Sequence, residues 1–261
     1  MNGLFAKLSD SDFVEYVTSF DVCVLSETFT LPSFDFSIYF NDFIILHSPA
    51  VKLSRMGRNS GGLVILIRKR LSEFVKSIDT KHENILCSRL SKQLFGCEKD
   101  VLFVGLYNHP VGSAFYENKE YSCSLDLLEQ FLLSQMESGE DPYFLIGGDF
   151  NSRIGDWSFD VLDDVDDDDD DYVYTFERRS QDTVINNFGK NLIQLCYMFD
   201  LVPLNGLVCK EFDERFTFYS ERGNSTIDYF VSSVDFVTYV CSLSVAQRVE
   251  SQHMPVLLGA H

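Results

Sequence analysis

The sequence has little positive charge for its length. Its 21 Lys and Arg stand against 40 Asp and Glu, which gives a formal net charge of -19. A protein that binds nucleic acid mainly through charge presents a basic face, so this balance argues against simple charge-driven binding. A hydrolase tolerates an acidic chain when a bound cation and a few well-placed bases face the phosphates of its substrate.

The sequence also lacks a disulfide framework, a leader and a membrane span. Its cysteines number seven, an odd count at wide spacings and without C-x-x-C, which indicates reduced thiols in apolar surroundings. The first ten residues hold no long apolar core, so we expect no signal peptide. No apolar run reaches the length that spans a bilayer. These absences predict an intracellular protein, nuclear or cytoplasmic, without a membrane partner.

Short β-rich runs dominate the chain, and 45% of its residues are hydrophobic, with 24 Phe. Gly, Pro, Asn or Ser bounds each run, as is typical of strands. The runs cover residues 21–26, 43–47, 62–67, 101–107, 143–146, 216–219 and 227–232. Such strands, rich in apolar residues on both faces, suit two sheets packed face to face.

Three stretches instead have helical spacing, the first with Ser9 or Ser11 as a possible N-cap. Their apolar stripes are Phe13, Val17 and Phe20; Leu125, Leu128 and Leu132; and Leu192, Leu195, Cys196 and Phe199. Together, the strands and helices predict an α/β (α+β) fold. We expect a four-layer sandwich in which two packed, mainly antiparallel β-sheets are flanked by helices.

Neither an internal repeat nor a Pro/Ser/Gly linker divides the chain, so we predict a single domain over residues 2–258. Residues 160–171 are dense in Asp, and like charges repel, so this segment is predicted to be an exposed acidic insertion loop. A calcium loop would need alternating ligands and a Gly at its turn, and the run has neither.

The strongest local motif is IGGDFN, where an apolar strand ends in two Gly followed by Asp149, Phe150 and Asn151. Ends of strands are where α/β folds place functional groups. In an extended backbone, residues two apart point to the same side, which would direct Asp149 and Asn151 together. A carboxylate and an amide suit the orientation of a water and the binding of an oxyanion. A plain Gly-Asp turn explains the motif equally well by itself.

Three further polar residues stand at the ends of, or within, apolar runs. Glu27 follows DVCVLS, and a hard divalent cation favours such carboxylates, although a surface Glu is the better reading of this residue alone. Asp228 in STIDY lies inside an apolar run and needs a polar partner. His253 in SQHMP precedes a final strand; a lone His is more often structural, but a carboxylate-held His is also a hydrolytic pair.

In this order the fragments resemble the endonuclease/exonuclease/phosphatase family, whose motifs are D-I-x-x-L-x-E-T, G-D-F/L-N, S-x-x-D-Y/H and S-D-H-x-P. The chain has DVCVLSET, GGDFN, STIDY and SQHMP, and Tyr107 in VGLYNHP resembles the family's I-Y-x-P tyrosine. Each motif is weak alone, but five in order across residues 2–255 are specific. RRSQDTVINNFGKNLIQLCYMFDLVPLNG, FTFYSERGNSTIDYF and NSRIGD further resemble the endonuclease domains of non-LTR retrotransposons, which nick DNA for reverse transcription.

The resemblance implies a phosphodiesterase that depends on Mg²⁺ or Mn²⁺ and nicks DNA, with the reverse transcriptase domain of the same element as a partner. In such a site the metal stabilises charge on the phosphoryl and leaving oxygens. The implied roles are metal binding by Glu27 and Asn2; positioning or deprotonation of the attacking water by Asp149; phosphate binding by Asn151, His253 and Tyr107; orientation of His253 by Asp228; and substrate binding by Arg153 and Thr217.

Two positions depart from the family pattern. The family's first strand begins N-x-[N/D]-G-L, and the chain starts inside this motif with Asn2-Gly3-Leu4, so we expect a truncated N-terminal strand and a missing first Asn. The Asp of S-D-H is Gln252, an uncharged and weaker ligand. Loss of one preorganised group at a reacting centre costs ~10²–10³ in rate, so we expect impaired activity.

Two alternatives to a DNA endonuclease remain open at this level. One is another phosphodiesterase or phosphatase of the same family that acts on RNA, lipid or inositol phosphates, which the acidic composition favours. The other is a non-catalytic remnant or binding module on the same fold, as a decayed copy of an element would leave.

Overall fold

The computed structural model describes residues 3–53, 57, 59–117, 119–163 and 172–260. Three α-helices are found among them: α1 (Ser11–Thr18), α2 (Ser124–Glu137) and α3 (Asn187–Met198). The strands are β1 (Val22–Ser26), β2 (Phe43–Ser48), β3 (Leu63–Arg68), β4 (Val75–Ile78), β5 (Ile85–Leu90), β6 (Val101–Tyr107), β7 (Tyr143–Asp149), β8 (Phe159–Asp163), β9 (Tyr172–Phe176), β10 (Leu201–Pro203), β11 (Phe218–Ser220), β12 (Gly223–Ser225), β13 (Asp228–Ser233), β14 (Val240–Val245) and β15 (Val256–Ala260).

Two sheets form the body of the molecule. The larger has six strands in the order β10-β13-β7-β6-β5-β4, and the smaller has three in the order β1-β3-β2. Only the β6–β7 pair is parallel among the pairs of the described strands. Two-stranded ribbons, β8–β9, β11–β12 and β14–β15, complete the β structure. The prediction of a mixed fold with mainly antiparallel sheets is therefore confirmed.

Alternation along β3 shows how the layers stack. Val64 and Leu66 pack in a core with Phe13 and Val17 of α1. Their neighbours Ile65 and Ile67 belong instead to a second core, shared with residues of β6 and β7 such as Phe103. A third core joins the opposite face of the six-stranded sheet to α2 and α3. Because side chains alternate across a strand, each sheet buries both faces, and four layers result.

Helices α1 and α3 begin at polar caps. Asp10, rather than Ser9 or Ser11, caps α1, and its side chain accepts from the amide of Asp12. Asn186 caps α3 through the amide of Gly189. Such caps satisfy amides that the first turn of a helix leaves without a partner. No helix in the described part of the chain is long and apolar enough to cross a membrane.

A glycine lets β7 reach the edge of the sheet. Gly148 has φ +150, and a Cβ there would lie 2.0 Å from the carbonyl oxygen of Leu106 on β6. No other residue fits this contact without moving the backbone of β6 or β7. The IGGDFN motif therefore places Asp149 at the end of β7, directly after a glycine that the neighbouring backbone of β6 requires.

The acidic segment has ordered flanks. Strands β8 and β9 pair antiparallel, with Asp163 opposite Tyr172. The predicted insertion loop at 160–171 therefore begins within a strand, since residues 160–163 belong to β8. Residues 164–171 lie outside the described residues, and the exposed loop there stays a prediction, as does the single domain over 2–258.

Candidate active site

Three of the candidate residues form a row across the end of the six-stranded sheet. Tyr107 is the register partner of Asp149 across the β6–β7 pair. On the other side of β7, Asp228 is the register partner of Asp149. Side chains directly opposite each other on neighbouring strands lie about 4.5–5.5 Å apart at Cβ. Strand pairing therefore brings together residues that are far apart in the sequence.

His253 joins this row from outside the sheet. Its Nδ1 lies 3.0 and 3.1 Å from the two carboxylate oxygens of Asp228. Its Nε2 lies 4.0 Å from Oδ2 of Asp149. A bridge between Phe218 and His253 holds the backbone of this segment against β11. With Nδ1–H bonded to Asp228, the other ring nitrogen faces Asp149.

Glu27 reaches the same place from the smaller sheet. The hydroxyl of Tyr107 donates to Oε1 of Glu27 at 2.8 Å. Burial, reinforced by the nearby charges of Glu27 and Asp149, raises the pKa of Tyr107, so the phenol stays protonated and remains a donor. Glu27 follows β1 with a positive φ of 52, and its carbonyl accepts from the amide of Gly3. The turn after β1 thus directs this carboxylate towards β6.

The electrostatics of the row favour a cation. Asp149 is only 2% exposed, and burial, together with the charge of Asp228, raises its pKa to about 8. Burial alone would lower the pKa of His253, but the Asp228 carboxylate outweighs it and raises that pKa to about 9. Two carboxylates face each other here, and Glu27 further raises the pKa of Asp149. Positive charge, from an imidazolium or a metal ion, relieves this repulsion.

The donor set fits a divalent cation. One ligand atom from each of Asp149, Asp228 and His253 lies within 4.8 Å of the others. Carboxylate oxygens are the ligands that Mg²⁺ and Mn²⁺ prefer, and Asp149 and Asp228, with Glu27 bonded to Tyr107 beside them, supply such oxygens. A cavity of about 230 Å³ reaches Asp149, Asp228 and His253, and apolar side chains of α1, β1 and β15 line much of the rest.

Asn151 is placed differently from the prediction. Its φ is 46, a left-handed conformation, so the backbone after Asp149 is not extended. Its amide donates to Oδ1 of Asp149 at 3.0 Å, and its side-chain Nδ2 donates to the carbonyl of Asn108 at 2.7 Å. The side-chain Nδ2 of Asn151 carries two N–H groups. One donates to Asn108, which leaves the other for an oxyanion. A tight turn, not strand alternation, brings Asn151 beside Asp149.

The two residues expected at the substrate surface have protein partners instead. Arg153 donates to both carboxylate oxygens of Asp182, at 2.8 and 2.6 Å. Thr217 is fully buried, with 0% exposure, and its hydroxyl accepts from the amides of Ile227 and Asp228, each at 3.0 Å. This hydroxyl therefore holds the backbone at the start of β13, and substrate binding by Thr217 stays a prediction.

Gln252 and Asn2 complete the set of predicted residues. The side chain of Gln252 is exposed, and its backbone carbonyl accepts from the amide of Tyr219 at 2.9 Å. It lies beside His253 in the sequence. Asn2, predicted as a metal ligand, lies outside the described residues.

Two buried asparagines escaped the sequence analysis. Asn108 donates to the carbonyl of Phe150 at 2.8 Å, and its Oδ1 accepts from the amide of Ser124 and the hydroxyl of Tyr116. Asn205 donates to the carbonyl of Asp228 at 3.1 Å and accepts from the amide of Phe230. Each directly follows an apolar run, as Asp149 does, and this position was the signal that could have identified them.

Comparison with known proteins shows the family of the chain. A profile of the Endonuclease/Exonuclease/phosphatase family matches residues 2–253. The chain belongs to this family, whose members include nucleases and phosphatases that hydrolyse phosphoester bonds. No curated protein matches the sequence.

Solved structures share the fold at low sequence identity. The AP endonuclease LMAP from Leishmania major has a TM-score of 0.67 at 13% identity, with 99% of this chain and 85% of that one covered. The 3'-5' exonuclease NExo from Neisseria meningitidis has a TM-score of 0.62 at 15% identity, covering 99% and 96%. The 3' phosphatase NExo from Neisseria, bound to a product DNA hairpin, gives 0.61 at 15%, covering 100% and 96%. At these identities the likeness shows the fold.

Proposed function

We propose that the chain is a divalent-metal-dependent phosphodiester hydrolase that nicks DNA. The observation that carries this proposal is the row of Tyr107, Asp149 and Asp228 at one edge of the sheet, with Glu27 and His253 bonded to its two ends. On one side of Asp149, Glu27 supplies a carboxylate for a metal ion. On the other side, the carboxylate of Asp228 holds the imidazole of His253. Both are needed where a phosphoryl group is attacked by water.

Each residue has a role in this proposal. A bound Mg²⁺ or Mn²⁺, held with Glu27, supplies charge that stabilises the phosphoryl oxygens. Asp149 orients the attacking water and takes its proton. The Nε2 of His253 and the free N–H of Asn151 hold phosphate oxygens, and Asp228 fixes the tautomer and orientation of the imidazole. Tyr107 keeps Glu27 in place and lies beside the phosphate.

We further propose that the chain is the target-site endonuclease of a non-LTR retrotransposon, acting with a reverse transcriptase domain of the same element. The motifs around residues 151–156, 178–206 and 216–230, which resemble that group, support it. The related structures support nucleic-acid substrates more generally, since one neighbour is an AP endonuclease and another is bound to DNA. We also propose that Gln252, in place of an acidic residue, lowers the rate.

A comparison of substrates tests the proposal against its nearest alternative. Purified protein with Mg²⁺ or Mn²⁺ should convert supercoiled plasmid to nicked circles much faster than it releases phosphate from phosphomonoesters or inositol phosphates. The acidic composition favours the alternative, another phosphoesterase of the same family. Faster hydrolysis of inositol or lipid phosphates than of plasmid would establish it. Binding of DNA without hydrolysis of any substrate would indicate a non-catalytic remnant.

A further inference from the structure

We propose that Asp182 and Asn186 are positioning residues that hold Asn151, and through it Asp149, in the geometry for hydrolysis. This inference rests on the proposed function. Both residues belong to the stretch RRSQDTVINNFGKN, which lies between the IGGDFN and STIDY motifs and whose part in the site the preceding assignments leave unexplained. Neither touches the row of Tyr107, Asp149 and Asp228 directly, so any effect must pass through Asn151 or the backbone.

Asn186 clamps the turn that follows β7. Its Nδ2 donates to the carbonyl of Asn151 at 3.1 Å, and its Oδ1 accepts from the amide of Arg153 at 3.0 Å. The same Oδ1 accepts from the amide of Gly189 at 2.6 Å, which caps α3. A Cβ on Gly189 would lie 1.8 Å from the carbonyl oxygen of Arg153, so the first turn of α3 packs directly against this loop. One amide therefore joins the loop to a helix.

Asp182 joins the same loop to the start of β13. Its side chain, 1% exposed, accepts from the guanidinium of Arg153 and from the amide of Thr226 at 2.9 Å. Thr226 precedes Asp228 by two residues, so this buried carboxylate lies between the segments that carry Asn151 and Asp228. A buried carboxylate of this kind is stable only with such partners, and the cation of Arg153 supplies the compensating charge.

The loop needs external support because Asn151 has a left-handed conformation. Residues in sparsely populated backbone regions persist only where the surroundings hold them. The amide of Asn151 donates to Oδ1 of Asp149, so relaxation of the loop would also move the carboxylate that orients the water. A displacement of about 1 Å at a reacting centre can cost ~10²-fold in rate. Asp182 and Asn186 therefore act through position and not through contact with substrate.

The decisive variant is Asn186→Asp, which keeps an oxygen that caps α3 but replaces the donor to Asn151 by a second oxygen. Asp is as good an N-cap as Asn, so the melting temperature should stay near that of the wild type. We expect kcat for plasmid nicking to fall about 10- to 100-fold with KM nearly unchanged. Asn187→Ala is the matched control, because Asn187 is the exposed neighbour of Asn186 and should leave both values as they are.

Asp182→Asn tests the second arm, since it keeps the shape of the side chain and removes its charge. We expect kcat to fall with KM nearly unchanged. A rise in KM with kcat unchanged would overturn the positioning role, because it would show that the pair of Arg153 and Asp182 serves DNA binding. Wild-type kcat in Asn186→Asp would also overturn the proposal.

Hydrogen exchange separates failure of this inference from failure of the proposed function. The amide of Asn151, bonded to Asp149, should exchange faster in Asn186→Asp than in wild type or Asn187→Ala, whether or not any variant cleaves DNA. Equal exchange in all three proteins would contradict the inference even if the wild type is a nuclease. If the wild-type protein hydrolyses no substrate and the Asn151 amide still exchanges faster in Asn186→Asp, the inference stands and the proposed function fails.

Discussion

The two halves of the candidate site are built in different ways. The register of three adjacent strands places Tyr107, Asp149 and Asp228 beside one another. Both faces of this sheet are buried in hydrophobic cores. Glu27 and His253 come from outside that sheet, and their side chains join it through hydrogen bonds to Tyr107 and to Asp228. The backbone fixes the first group, whereas the second depends on its partners. A substitution in the first group should therefore leave the backbone of the sheet in place. Glu27 and His253 should respond when a partner, Tyr107 or Asp228, is changed.

The largest effect is expected for Asp149→Asn, on the backbone-fixed half. The side-chain oxygen of the new asparagine can still accept from the backbone amide of Asn151, so the local structure should persist. The charge that orients the water is lost. We expect nicking to fall by ~10³-fold or more, since the group acts at the reacting centre. Unfolding temperature should be unchanged or higher, because a buried carboxylate that faces Asp228 is removed. A clear loss of stability would show that Asp149 is held for structural reasons.

The next effect, about 10²–10³-fold, is expected for Asp228→Asn, which tests the dependence of His253 on its partner. The Asp228 carboxylate raises the pKa of His253, so its removal should lower that pKa and favour the neutral imidazole. If an imidazolium holds the phosphate, the alkaline limb of the pH–rate profile should shift to lower pH. NMR titration of the His253 ring measures the same pKa directly. An unchanged pKa would mean that Asp228 is not what raises the pKa of the ring.

A smaller effect, about 10-fold, is expected for Tyr107→Phe, since only the hydroxyl that holds Glu27 is removed. The apparent affinity for Mg²⁺ should fall, and saturating Mg²⁺ should restore most of the rate. Tyr116→Phe is a matched control, because it removes another buried tyrosine hydroxyl that is bonded to Asn108. A rate that stays low at saturating Mg²⁺ would assign Tyr107 to the phosphate instead of to Glu27.

An effect of similar size, but in the opposite direction, is expected for Gln252→Asp. A carboxylate beside His253 adds negative charge near the proposed metal ion, and we expect nicking to rise about 10-fold. The side chain of Gln252 is exposed, so stability should not change. No gain in rate would mean that glutamine at this position does not limit the enzyme, and our view of an impaired site would be wrong.

The sequence identified the site residues that follow apolar strands. Glu27 follows β1, and Tyr107 and Asp149 end β6 and β7. Asp228, which the sequence placed within an apolar run, begins β13, and the structure brings all four together. The sequence could not identify the hydrogen bonds of Arg153 or Thr217. Their partners Asp182, Ile227 and Asp228 come from elsewhere in the chain and are known only from the folded structure.

Local backbone geometry was the other limit. The left-handed turn at Asn151 cannot be predicted from the alternation of side chains, and the extended backbone that would have directed Asn151 alongside Asp149 does not occur. The same holds for the cap of α1, where Asp10 was preferred over two neighbouring serines that are equally good caps by type. The layers of the fold were easier to predict from the sequence, because buried strands and amphipathic helices carry a strong periodic signal.

The most direct test of the account is the metal dependence of plasmid nicking by the purified chain. Supercoiled plasmid should become nicked circles as Mg²⁺ or Mn²⁺ is added, and excess EDTA should stop the reaction. Glu27→Gln should shift the required metal concentration upwards, because it removes a charged ligand. Nicking that persists in EDTA, or a Glu27→Gln protein with the wild-type metal requirement, would contradict a metal site built on Glu27 and Asp149.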